Sequence, residues 1–324
     1  MELAAKGDTD GGDDFLDDYI AGFFEDCRLR GMVQYSIHTY AYILRNFKRH
    51  LVELGVLDVA DIDKDAVREY VRILREERKL CISTIENHLS CISALFEYLM
   101  YEGVLDANFA LPVRRRYVRR YKAERPNDSQ RRKLVTTEQI KTLIDSVLIP
   151  RDKAVIMLLA KTGVRRNELV TIDINDVDFS LMKIILKPKA KRSNRVVLFD
   201  EECLRLLQDW LLVRKRYERP EVFALFITES GGRLDRNGVY NIVTSHADLI
   251  GLHDPTSKRL EDHFTPHCLR HWFTTILRRN GMPREMVQEL RGDSRTDSVD
   301  VYYHIDQEQM RTEYLRRMPR LGAR

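Results

Sequence analysis

The chain has 324 residues, 44% hydrophobic and 32% charged, with a net charge of +4, which is material for about two globular domains. Mixed charge signs and nearly continuous apolar periodicity argue against bulk disorder. The absence of an apolar run of about 18 residues and of an N-terminal signal pattern argues for a soluble, cytoplasmic protein with no membrane segment.

Residues 1–13 carry Glu2, Asp8, Asp10 and Asp13 around a Gly-Gly pair and are expected to form an acidic, disordered tail. Residues 14–108 show helical periodicity. Four helices are predicted at about 14–30, 35–54, 64–78 and 82–101, packed as a bundle. Ser83 and Glu86 have capping-box spacing for the last of them. Its apolar stripe is Ile85, Leu89, Ile92, Leu95, Phe96 and Leu99, with Thr84, Asn87 and His88 predicted on other faces. A basic interdomain linker is expected at 109–133. Between Leu111 and Lys133 stand eight arginines and two lysines against Glu124 and Asp128, a local charge of 10 − 2 = +8. The rest of the chain then carries 4 − 8 = −4. Such concentration is the footprint of nucleic-acid contact, with Arg114, Arg115, Arg116, Arg119 and Arg120 foremost. A solvated linker is the bland alternative.

Residues 134–324 form the second predicted domain, mostly helical with a small antiparallel sheet. Thr136 and Gln139 make a capping box, and a buried helix over 154–160 closes at Gly163. Strands at Lys183–Leu186 and 195–199 predict a hairpin with a lysine-rich loop. Asp200 caps a helix with Cys203, Leu206, Leu207, Trp210 and Leu211 on one face. A short strand at 225–228 and a helix at 238–250 follow. Gly281 and Gly292 end the next helices, and a last helix at 307–317 turns Met310, Tyr314 and Leu315 to a partly apolar face.

No GxxxxGK[ST] loop and no HExxH is present, so nucleotide-driven and zincin chemistry have no motif. The five cysteines form no CxxC pair, which argues against a disulfide framework. His263, His267 and His271 are spaced by four, but Pro266 interrupts any helix joining them, so no metal is expected. Thr265 instead predicts an N-cap before Pro266. His267 and Arg270 then share one face of a helix N-terminus, a plausible phosphate cradle. In Thr162-Gly163-Val164-Arg165-Arg166-Asn167-Glu168-Leu169, Arg165 follows a tight corner, and its fork of donors matches phosphate oxygens. Glu168 is placed to orient it.

Thr-Gly-x-Arg-x-x-Glu-Leu, a lysine-bearing hairpin, His-x-Leu-Arg-His and a tyrosine 32 residues after Arg270 occur in that order. This set resembles the tyrosine recombinase (phage integrase and Xer-like) family, along the whole chain. The resemblance implies a helical core-binding domain and a catalytic domain that clamp double-stranded DNA and recombine it site-specifically through a 3′-phosphotyrosyl intermediate. Arg165 and Arg270 would hold the scissile phosphate, with His267 as hydrogen-bond partner and proton acceptor. A hairpin lysine would be the general acid: Lys189 is chosen, with Lys191 close behind as a DNA contact and Lys187 a third option. Tyr302 would be the nucleophile and Tyr303 a packing residue. Asp293, nine residues before Tyr302, stands where the family usually has histidine.

No cofactor, metal or small-molecule substrate is implied. A dimer or tetramer on DNA with exchange of the C-terminal helix is. Base reading would fall to Thr84, Asn87 and His88. A DNA-binding protein with a weakened active site and a topoisomerase IB-like strand-relaxing enzyme are the other readings.

Overall fold

The computed structural model describes residues 15–119, 135–187, 195–257, 259–292 and 306–322. The chain divides into two units, Met1–Ser129 and Gln130–Arg324. In the first, α1 (Asp17–Leu29), α2 (Gln34–Glu53), α3 (Lys64–Arg72) and α4 (Ile82–Tyr101) form a bundle. Asp63 caps α3, its Oδ1 accepting from the N–H groups of Asp65 and Ala66 at 2.9 and 2.8 Å. The facing stripes bury Phe23, Leu44, Phe47, Tyr70, Leu89 and Phe96. Phe47 meets Tyr70 edge-on at 5.2 Å and Phe96 at 6.1 Å, and each such side chain contributes about 2 kcal/mol by leaving water.

Three expectations in this unit are corrected. His88 is 4% exposed and hydrogen-bonds the Tyr70 hydroxyl through Nδ1 at 3.0 Å. The apolar face of α4 is wide enough to take in His88, one turn from both Ile85 and Ile92. It is therefore a core residue, whereas Asn87 is exposed and Thr84 half-buried. The Ser83–Glu86 capping box does not form: the N-cap is Cys81, whose Sγ lies 3.2 Å from Ser83 Oγ and 3.1 Å from Thr84 Oγ1. Glu86 pairs with Arg114 instead, at 3.3 Å. Lastly, the start of the expected linker is helical. α5 (Ala110–Arg114) runs into a wider π turn at Arg115–Arg119, and Ala110, Val113 and Val118 are buried in the bundle core. Their three- and five-residue spacing puts all of them on one side of that wound segment, while Arg115 and Arg116 stay exposed.

In the second unit the Thr136–Gln139 capping box forms in both directions, at 3.0 and 3.2 Å, and starts α6 (Thr137–Ser146). The central helix α7 (Pro150–Thr162) is buried from Ala154 through Thr162, and its run from Ala154 to Ala160 is apolar on every side, as a fully buried helix requires. Next come the short helix α8 (Arg166–Leu169) and strands β1 (Val177–Asp178), β2 (Lys183–Leu186) and β3 (Arg195–Leu198). They form one antiparallel sheet in that order, with Val177 opposite Ile184 and Leu186 opposite Arg195. Asp200 caps α9 (Glu201–Arg214), accepting from Cys203 N–H at 3.1 Å. The expected strand at 225–228 is reduced to isolated bridges, Asp173 with Ala224 and Ile227 with Arg233. A turn, with Gly231 N–H on the Thr228 carbonyl at 2.9 Å, closes that ladder after one pair.

Helices α10 (Arg236–Leu249), α11 (Pro266–Arg279), α12 (Arg284–Arg291) and α13 (Gln307–Arg317) complete the unit. α9 and α11 pack on α7. α13 buries Met310 and Tyr314, but Leu315 is 41% exposed. The Tyr314 hydroxyl donates to the Lys161 carbonyl at 2.9 Å. Lys161 is fully buried, its Nζ donating to Asp200, Glu202 and the Pro319 carbonyl at 2.5, 2.8 and 2.8 Å. In the single chain, then, the C-terminal helix lies on its own unit. Among the described residues no helix is long and apolar enough to cross a membrane.

His88 gives the bundle a pH dependence. Burial, and then the charge of Arg78, push its imidazole down to about 4, whereas an unfolded histidine titrates near about 6.5. Between those values the unfolded chain binds a proton that the folded bundle refuses, so stability falls as the medium is acidified through that window. Thermal melting between pH 7 and about 4 checks this. His88→Gln is expected to flatten the acid limb, and an unchanged profile would contradict the account.

Candidate active site

The geometry at the end of α7 starts with a glycine. Gly163 has φ 60°, the left-handed conformation that side chains resist. A Cβ there would fall 2.4 Å from the Phe273 ring. That corner turns the chain so that Arg165 leads into α8. Its backbone N–H donates to Glu168 Oε2 at 2.7 Å and its Nη1 to Glu168 Oε1 at 3.2 Å. Glu168, as expected of it, thus orients the fork.

α11 begins at Pro266 behind the N-cap Thr265, whose N–H donates to Cys268 Sγ at 3.4 Å. Arg270, one turn in, is 3% exposed. Its Nη1 donates to the Gly163 carbonyl at 2.5 Å and its Nη2 to the Arg291 carbonyl at 2.7 Å. Arg165 Nη1 reaches that same Arg291 carbonyl at 3.2 Å. Arg291 ends α12, so the shared acceptor belongs to the negative end of that helix, where carbonyls lack intrahelical partners. Two guanidiniums 105 positions apart in sequence are gathered on one main-chain oxygen.

They open on one cavity of about 370 Å³, lined by Arg165, Arg166, Asn167, Tyr240, His267 and Arg270 together with Val164, Thr265 and Pro266. His267 is exposed at the first turn of α11, its ring 5.0 Å from that of His271. Burial, and then the charges of Arg165 and Arg291, push the Arg270 guanidinium down to about 9. A cation held in such surroundings gains from an arriving anion. The cavity therefore brings Arg165, His267 and Arg270 together, with fixed donors of the kind that bind a phosphodiester.

The hairpin stands behind this cavity. Arg195, the first residue of β3, forks onto Glu168 at 2.9 and 2.8 Å. Lys187, just past β2, is held by Asp173 and, at 3.3 Å, by Asp176. Both strand ends flanking 188–194 are thus tied by ion pairs to the segment that follows Arg165. Lys187 is committed to carboxylates. Lys189, Lys191, Asp293, Tyr302, Tyr303, His304 and Arg120 lie outside the described residues, as does the Arg119 side chain.

Comparison with known proteins decides the family. A model described as "Phage integrase family" matches residues 133–309, over half of the chain. One described as "Phage integrase, N-terminal SAM-like domain" matches residues 20–104. The chain belongs to the phage integrase family of tyrosine recombinases. Relatives of this recombinase include tyrosine recombinase XerC of Herpetosiphon aurantiacus, 28% identical over 85% of this chain and 86% of its own. XerC of Bacillus subtilis is 27% identical over 89% and 91%, and XerD of Mycobacterium tuberculosis 27% over 84% and 88%. Among solved structures, the Tn1549 transposon integrase in complex with a circular intermediate DNA has a TM-score of 0.67 at 19% identity, covering 92% of this chain and 98% of that one. A lambda integrase dimer bound to a core site has a TM-score of 0.67 at 14% identity, covering 90% and 99%. At such identities these neighbours share the fold.

Two residues at or beside this candidate site were not singled out from sequence. Tyr240 lines the cavity from α10, with Arg166 lying 5.6 Å from its ring centroid. Arg195 was read only as the first residue of a predicted strand and given no part in the site, although a basic residue opening a buried strand was a usable signal.

The strained charge of Arg270 makes a testable anion site. Inorganic phosphate is expected to raise the melting temperature of the wild-type protein, by as much as about 2.7 kcal/mol of stability at 100 times its dissociation constant. Arg270→Met should lose that increment. Equal increments in both proteins would contradict the assignment.

Proposed function

We propose that this chain is a site-specific DNA recombinase, an integrase-type strand transferase that cleaves and rejoins double-stranded DNA through a 3′-phosphotyrosyl intermediate. The observation that carries the reading is the convergence of Arg165 and Arg270 on the Arg291 carbonyl beside His267. Tyr302 attacks the phosphorus and passes its proton to His267. The bond to the 5′-oxygen breaks, and Lys189 protonates that oxygen as it leaves. One phosphoester replaces another, so the bond energy is kept and a 5′-hydroxyl can reverse the step without an energy source. A tyrosine with its usual pKa near about 10 needs cationic neighbours to act near neutrality. Two guanidiniums around the phosphate provide them, and stabilise the charge that builds on its oxygens.

Asp293 takes the position of the family's histidine. An ionised carboxylate accepts hydrogen bonds and donates none, so its part is to orient an arginine or Tyr302. The weakened-site reading rests on this residue alone. The relatives are named as recombinases, which favours neither that reading nor the topoisomerase one. Double-stranded DNA, bound by a soluble intracellular protein assembled as a dimer or tetramer, is the partner this function needs. Asn87 and Thr84 on α4 are its base-reading candidates, and Lys191 a backbone contact.

A nicked duplex that loses its 5′-hydroxyl fragment tests the reaction. The wild type should accumulate a covalent protein–DNA adduct, and Tyr302→Phe should form none. No adduct with the wild type, or an adduct with the variant, would overturn the proposal. Adduct without exchange between two duplexes would support the topoisomerase reading.

The basic segment gives a separate test. Arg115 and Arg116 are exposed, whereas Arg114 pairs with Glu86. Replacing Arg115 and Arg116 by alanine should lower the slope of log affinity against log salt by about 2, at roughly 0.9 per phosphate contact. Specific and nonspecific DNA should be affected alike. An unchanged slope would contradict the contact.

A further inference from the structure

Arg195 lies behind the cavity rather than in its wall, with its side chain 7% exposed. Its fork meets both oxygens of Glu168, at 2.9 and 2.8 Å. Arg165 uses the same two oxygens, through Nη1 at 3.2 Å and its backbone N–H at 2.7 Å. Glu168 is therefore shared between a cation that faces the cavity and one that does not. Arg195 is itself confined. It opens β3 opposite Leu186, and a Cβ on Gly292 would fall 2.3 Å from its Nη1.

We propose that Arg195 is a positioning residue for the phosphate clamp, acting on Arg165 through Glu168; this rests on the strand-transfer reading above. The reason is a charge balance. Burial alone would push the Glu168 carboxyl up, but hydrogen bonds and charge from Arg195, then those from Arg165, hold it below the usual range. Two guanidiniums and one carboxylate sum to +1, which leaves a full positive charge for a phosphate. Without Arg195 the sum is zero, and Glu168 competes with the phosphate for Arg165. A lysine keeps the charge but cannot occupy both oxygens in one plane. The ion pair also fixes the strand end after 188–194 to the corner that carries Arg165. Substrate binding depends on many DNA contacts, so the effect falls on the chemical step.

The test is single-turnover adduct formation at saturating nicked duplex, alongside melting temperature and DNA affinity. Arg195→Gln should cleave roughly 100-fold more slowly with affinity little changed, and Arg195→Lys should fall between it and the wild type. The decisive readout is a duplex with an uncharged methylphosphonate at the scissile position, where less charge needs neutralising. There the loss should shrink by about 10-fold or more. Adding Glu168→Gln to Arg195→Gln removes the competing carboxylate and should restore part of the rate. Arg195→Gln cleaving like the wild type, or losing the same factor on both duplexes, would overturn the proposal. If Arg195→Gln does not fold, Arg195→Lys carries the same comparison. A wild type that forms no adduct would sink the strand-transfer reading itself, which separates the two failures.

Discussion

A single carbonyl oxygen, that of Arg291 at the end of α12, accepts hydrogen bonds from both Arg165 and Arg270, and the site depends on that meeting. Like charges repel, and taking a guanidinium out of water is expensive. A main-chain acceptor at the negative end of a helix offsets part of that expense without cancelling the charge. A carboxylate in its place would have cancelled one of the two charges. The arrangement keeps two positive groups close, oriented and available to an anion.

The rest of the second unit serves that arrangement. The left-handed corner at Gly163 turns the chain towards Arg165 and also gives Arg270 its other carbonyl. α11 supplies His267 and Arg270 from one turn, and its Phe273 ring fills the space that a side chain at Gly163 would need. Gly292 leaves room for Arg195 in the same way. The corners that aim the site are therefore packed against the groups they aim. Such preorganised donors suit a reaction in which negative charge accumulates on phosphate oxygens. They are in place before any substrate arrives, so little reorganisation is left for the reacting complex.

Several helices were legible because their ends carry local chemistry: Thr136, Asp200 and Gly163 act within a few residues of themselves. Arg165, Glu168, His267 and Arg270 were legible for a similar reason, each falling within a short patterned stretch at a helix end. What joins them was not. Main-chain acceptors such as the carbonyls of Gly163 and Arg291 leave no mark on residue type. Tyr240 and Arg195 reach the site from α10 and β3 by tertiary packing alone. His88 was misplaced because its polar type outweighed its position: seven residues before Leu95, it lies within the arc that the apolar residues of α4 already define. The helix at Ala110–Arg114 was hidden by arginines that stay in water while Ala110 and Val113 turn inward.

The central claim is that this clamp presents a scissile phosphate to Tyr302. The most direct measurement is peptide mapping by mass spectrometry of the protein trapped on a nicked duplex. The account predicts one modified peptide, with the 3′-phosphate of the DNA joined to the Tyr302 oxygen. Attachment to Tyr303 or Tyr240, or folded protein that binds the duplex and stays unmodified, would contradict it.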